Sequence, residues 1–269
     1  MIARVALAAG VVALTACAAR APLRPTGTTV SDPTALDAFV QATRSCAGLQ
    51  TITTEIRLSG RAGRERMRGT LITGLAAPAS LRFEAVAPFG PPIFILAGRN
   101  NRASLLLPRD NRVLIDTAVP DVLERLTGLS LSASDLRMIL TGCLAEPATP
   151  SDGRRWPNGW RGVTVGNEIT AYLRDVGGLP VVVAADHGQW RIDYANHLNG
   201  WPRQVRIRSA DAPANATPSQ VTVDITAALE QLEINSGIDE KAFVVAPPAG
   251  ALPITLDDLR TVAPLRGSR

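Results

Sequence analysis

The sequence predicts a mostly β protein of the α+β class. A single large curved antiparallel sheet, a half-open barrel of about eleven strands, has its concave side covered by two or three helices. Three observations lead there. Short segments of alternating apolar and polar residues recur through most of the chain. They fall into two groups, with helical spacing before the first and between the two. Nearly every strand pattern has one apolar and one wet face, so one side of the sheet needs a cover, and the helices supply it. The 269 residues, 46% hydrophobic and 19% charged, suit one globular domain and exclude disorder.

The N-terminus reads as a leader. Arg4 precedes an apolar run over 5–14, and Leu14-Thr15-Ala16-Cys17 has the form of a bacterial lipobox. Residues 1–16 are therefore expected to be a signal peptide, with Cys17 carrying the lipid. Ala18 stands where an Asp is the usual inner-membrane retention signal, so the expected place is the outer membrane, lipid-anchored and facing the periplasm. Residues 17–31 contain Pro22, Pro25 and Gly27 and no period, and read as a lipidated tether. The folded domain is expected over 32–245. Pro247, Pro248 and Pro253 mark 246–269 as a Pro-rich tail with a short helix near 255–262. No later apolar run reaches the roughly 18 residues a membrane span needs.

Within the domain, Ser31-Asp32-Pro33 is a helix start, and Leu36, Phe39, Val40, Thr43 and Cys46 give an amphipathic helix over 33–47, ended by Gly48. Strands follow at about 52–58, 64–73, 81–85, 93–97, 102–107 and 112–115. Helical spacing returns over 120–142 as two short helices joined at 128–131. Residues 145–160 read as loop. The second meander has strands near 162–165, 168–174, 179–185, 188–194, 203–209 and 220–226. In it Trp190, Ile192 and Tyr194 alternate with Arg191 and Asp193.

Helix, meander, helix pair and second meander behind a lipobox resemble the LolA/LolB-like lipoprotein-carrier family, and the outer-membrane receptor branch most of all. Leu126-Thr127-Gly128-Leu129-Ser130-Leu131, then Leu136-Arg137 and Gly142, resemble its helix pair, with Ile139 where a Trp is common. Pro88-Phe89-Gly90 lies where that branch carries an exposed Pro-Leu-Gly loop, and Trp201-Pro202-Arg203-Gln204-Val205 is similar to a late strand of the fold. The resemblance spans about 32–226. It implies an apolar cavity for acyl chains, lipoprotein or lipid cargo, a membrane-insertion loop at Pro88, Phe89 and Gly90, and a periplasmic LolA-like carrier as partner.

The candidate lining is Ile52, Ile56, Leu58, Leu71, Leu81, Phe83, Ile93, Ile95, Trp190, Ile192, Val205, Ile207, Val221 and Val223 on the sheet. Leu36, Phe39, Val40, Leu136, Ile139 and Leu140 lie above them. Periodicity does not separate a lined cavity from a filled core, so the alternative is a structural outer-membrane lipoprotein without transfer activity. Cys46 and Cys143 sit on apolar helix faces. They are either a disulfide, permitted in an oxidising periplasm, or two packed thiols. Two His and three Cys leave little for a metal centre, and Asp186, His187, Asp193 and His197 are a weak set because Asp193 falls on the wet face. No nucleophile-elbow, zinc-protease or phosphate-loop motif occurs. The expectation is a non-enzyme with no cofactor, no metal and no nucleic-acid partner.

Overall fold

The computed structural model describes residues 24–144, 149–210, 222–262 and 265. Cys17 and Val221 lie outside them. The chain opens with β1 (Val30–Ser31), α1 (Thr34–Ala42) and a 3-10 turn, Arg44–Gly48. The first meander is β2 (Thr51–Ala62), β3 (Glu65–Ala76), β4 (Ser80–Val86), β5 (Ile95–Arg99), β6 (Arg102–Leu107) and β7 (Arg112–Ala118). The helix pair is α2 (Val119–Thr127) and α3 (Ala133–Thr141). The second meander is β8 (Pro150–Arg155), β9 (Arg161–Val165), β10 (Ile169–Val176), β11 (Leu179–His187), β12 (Trp190–Ala195), β13 (Gln204–Ser209) and β14 (Val223–Ile234). A second 3-10 turn (Glu240–Phe243), β15 (Leu252–Pro253) and α4 (Leu256–Val262) complete it.

All the strands belong to one sheet in the order β1-β8-β9-β10-β11-β12-β13-β14-β2-β3-β4-β5-β6-β7-β15. Its two ends do not pair, so the barrel is half open. The seam between the meanders is β14 against β2, antiparallel from Val223–Ala62 to Ile234–Ile52. The inward residues follow the period-2 pattern of each strand. Ile52, Ile56 and Leu58 of β2 are buried, as are Trp190, Ile192 and Tyr194 of β12. They form one core cluster with the buried faces of the helices. α1 covers the β8, β9 and β11 side, whereas α2 and α3 cover the other half.

Several expectations need correction. Among the described residues the sheet has fifteen strands, two of them only two residues long, where about eleven were expected. Residues 150–155, expected as loop, are β8. The segment Pro-Ser-Asp-Gly-Arg-Arg lacks apolar alternation because α1 sits directly on it: a Cβ built on Gly153 would lie 2.4 Å from Asp32 O. The last strand runs on to Ile234 through an irregularity at Gln231, whose φ is +49°. The first helix is shorter than expected, because a 3-10 turn takes over from Arg44. Val40 is 58% exposed, and Ala35, Ala38 and Phe39 form the buried face.

The two flanks also differ from their reading. β15 pairs parallel with β7, held by Leu252 N donating to Asn111 O at 2.9 Å and Ile254 N to Val113 O at 2.9 Å. Ile254 and Leu259 are buried, so the C-terminal segment packs on the fold, with α4 against α2. At the other flank, residues 24–31 are docked rather than free, since Arg24 bonds to β11 and β12 and β1 pairs with β8.

Candidate functional site

The cover is built by local rules. Pro120 stands in the first turn of α2, and Gly128 ends the helix at φ +78°, a left-handed conformation that suits glycine. α3 begins with a capping box, in which Ser132 Oγ accepts from Asp135 N and the Asp135 carboxylate accepts from Ser132 N. Arg137 is 3% exposed and donates from Nη1 to Leu49 O at 2.6 Å, which ties α3 to the start of β2. A Cys46–Cys143 disulfide, Cα atoms 5.6 Å apart, binds the C-terminal side of α3 to the 3-10 turn after α1. Ala133 N donates to Asn101 Oδ1 at 3.0 Å, so α3 is held at its first residue, at its middle and on its C-terminal side. α2 is joined to it by residues 128–132 and is braced outside by α4, with Arg125 Nη2 3.5 Å from Asp257.

Between this cover and the sheet lies a cavity of about 70 Å³. Ile56, Leu58, Leu71 and Phe83 form one wall and Val205 and Ile207 another, under Leu136 and Leu140 of α3. Sequence reasoning missed Phe94, Leu123, Leu126, Leu129, Ile225, Ala227 and Leu265, which complete it with Thr127. Apart from Thr127 every lining residue is apolar. Ile52, Leu81, Trp190, Ile192, Val223, Phe39 and Ile139 are buried but do not line this space. Ile95 is misassigned. Phe83 points inward and pairs with Leu96, so Phe94 and Leu96 take the concave face and Ile95 turns outward opposite Glu84. Ile93 is only partly buried. In a continuous apolar run such as Ile-Phe-Ile-Leu-Ala, only the partner strand's register settles the faces.

At about 70 Å³ the cavity holds only a few water-sized groups, far fewer than an acyl chain requires. The cavity borders a larger recess of about 530 Å³ with a mixed lining, Arg64, Glu65, Glu124, Arg125 and Thr222 beside Ala62, Met67, Leu126, Val223 and Leu265. Leu126 and Leu265 belong to both spaces and stand between them. Leu265 is 4% exposed, and its carbonyl accepts from Arg68 N at 3.2 Å. No period in the tail announced it.

The recess opens at one end of the barrel. The register puts the β2–β3 turn (Ala62–Glu65 pair), the end of β4 at Val86 and the β6–β7 turn (Leu107–Arg112 pair) at that end. Residues 87–92 therefore project there. Phe89 is 88% exposed. Gly90 takes φ +78°, and Arg109 clamps the loop, its Nη2 donating to Phe89 O at 2.6 Å and its Nε to Pro91 O at 3.3 Å. The aromatic ring is thus presented from a braced backbone.

The weak metal set does not converge on a metal. Asp186 and Asp193 both bind the Arg24 guanidinium, and among the described residues no group of three His, Cys, Asp or Glu is placed to hold an ion. His197 Nε2 lies 3.0 Å from Val182 O, and burial holds its imidazole below its ordinary range against the upward pull of that bond. Among the described residues no helix is long and apolar enough to cross a membrane.

No family model and no curated relative matches the chain. Among solved structures it is similar to a LolA superfamily protein from Nitrosomonas europaea, with 10% identity and TM-score 0.46 over 80% of this chain and 98% of that one. A DUF1329 family protein from Desulfovibrio piger gives 11% and 0.44 over 78% and 96%. The lipoprotein LppX from Mycobacterium tuberculosis gives 10% and 0.34 over 78% and 99%. At this level of likeness the neighbours' functions do not transfer.

Proposed function

We propose that the protein is a membrane-anchored lipoprotein whose apolar cavity takes up acyl chains, accepting lipids or lipoproteins and delivering them to the outer membrane. A chain of about 16 carbons loses roughly 12 kcal/mol on passing bare through water, at about 0.8 kcal/mol per methylene. A carrier must therefore substitute an apolar interior for the bilayer. The observation that carries the reading is an all but wholly apolar cavity that meets a larger recess of mixed lining at the barrel end where Phe89 is exposed. In this state the cavity, at about 70 Å³, is too small for an acyl chain. Because α3 is fixed at both ends, the wall that moves to admit a chain is α2 with residues 128–131, together with Leu265. A periplasmic carrier of the LolA type is the donor this reading expects.

Phe89 supplies the delivery step. An exposed Phe forgoes about 1.5–3 kcal/mol of burial, and a bilayer interface recovers it. Phe89→Glu is expected to leave folding and uptake of a fluorescent fatty acid unchanged while slowing transfer of that probe to liposomes about tenfold. Stopped-flow transfer measures it, and equal rates in a stable mutant make the loop a mere turn. The small cavity volume favours one second reading, a structural lipoprotein with a packed core; such a protein binds no probe at all.

A further inference from the structure

The convex face of the sheet carries a socket that neither acyl binding nor the core requires. Arg24 enters it from the N-terminal segment. Its guanidinium donates to Asp193 Oδ1 at 2.6 Å, Asp186 Oδ1 at 3.2 Å, Ala185 O at 2.8 Å and Ile192 O at 3.0 Å, and lies 5.2 Å from the centroid of the Tyr172 ring. The Asp193 side chain is 3% exposed and that of Arg24 17%. Tyr172 Oη donates to Asp186 Oδ2 at 2.9 Å, and Arg208 Nη2 donates to Asp193 Oδ2 at 2.8 Å. Four charge-assisted or carbonyl bonds plus a cation–π contact make this a built site for one guanidinium.

Its position gives it meaning. Asp186 precedes the last residue of β11, and His187 pairs with Trp190 at the barrel end that carries the Phe89 loop. From Arg24 the chain crosses the convex face to the opposite end, where Val30 pairs with Arg155. Arg24, the first described residue, is therefore fastened on the side of the fold toward the Phe89 end. Cys17 is seven residues earlier, a span of at most about 25 Å. Were the chain held only from Val30, thirteen residues would span about 47 Å from the far end, and the acyl group could lie at either end.

We propose that the Arg24 socket is a membrane-orienting clasp. By shortening the leash and fixing its exit, it turns the Phe89 end and the recess beside the cavity toward the bilayer that holds the acyl anchor. The proposal rests on lipidation of Cys17 and on the Phe89 end being the membrane-facing one. The partner surface is the protein's own anchoring bilayer.

The test uses the full-length acylated protein in phosphatidylethanolamine–phosphatidylglycerol liposomes. An environment-sensitive fluorophore is placed at Asp110→Cys in the β6–β7 turn, at the Phe89 end, or at Leu179→Cys in the β10–β11 turn at the opposite end. Iodide quenching is compared. The clasp predicts that the label at 110 is protected and the label at 179 is not. Effective concentration falls as roughly the three-halves power of leash length, so Arg24→Ala, with a leash of about thirteen residues, lowers the contrast about two- to threefold. Inserting twelve Gly/Ser residues after Ala21 leaves the socket filled and lowers it about fourfold. Arg208 still pairs with Asp193 in Arg24→Ala, so that variant is expected to fold; the insertion carries the test if it does not. Equal protection of both labels in the parent protein, or an unchanged contrast in both variants, overturns the clasp. A protein that fails to pellet with liposomes overturns the lipidation on which it rests, and that failure is recognisably different.

Discussion

Cys17→Ser is expected to move the whole population from the membrane fraction to the soluble periplasm. On the proposed reading the apolar leader and the lipobox thiol are the anchoring elements, and among the described residues no helix is long and apolar enough to cross a membrane. A single myristoyl-length chain binds membranes only marginally, whereas two or more hold a protein stably, so loss of the acylation site is all or none. Fractionation followed by immunoblotting measures it. Persistence of the mutant in the outer-membrane pellet means that another element anchors the chain.

The second large effect concerns the disulfide. Cys46 and Cys143 are 97 residues apart in sequence, and closing so long a loop restricts the unfolded chain strongly. The double variant Cys46→Ala/Cys143→Ala is expected to lose about 2–5 kcal/mol of stability, a large part of the roughly 5–15 kcal/mol a domain possesses. Equilibrium unfolding in urea gives the number. The same variant frees the C-terminal side of α3, so acyl-probe uptake should become faster even as the fold weakens. A loss below about 0.5 kcal/mol would show that Arg137 and the capping box hold α3 without the bond.

Much of the fold was legible because strands with one buried face print it as alternation. Trp190-Arg191-Ile192-Asp193-Tyr194 and the Val205/Ile207 pair of β13 are such cases, and the helix pair was marked by Gly128, Ser132 and Gly142. β8 was illegible because its buried residue is Gly153, chosen for a close approach of α1 and not for an apolar face. β15 and Leu265 were missed because two ladder bonds and one buried side chain carry no period. The Arg24 socket was hidden for a different reason. Asp193 falls on the outward face by alternation, and only the three-dimensional path of residues 24–30 covers it. The cavity was the least legible feature, since Ile52 and Ile56 share a strand and a face while only Ile56 borders free space. Periodicity reports which way a side chain points; free volume depends on how all the neighbours fill the space between.

Mass spectrometry of lipid extracted from gently purified, non-acylated Cys17→Ser protein tests the central claim most directly. An acyl-binding carrier is expected to bring about one acyl lipid per chain through purification, because its cavity is apolar and opens by moving α2. Protein that is free of lipid, and that takes up none when incubated with outer-membrane phospholipid vesicles, would contradict the account and leave a structural lipoprotein with a packed core.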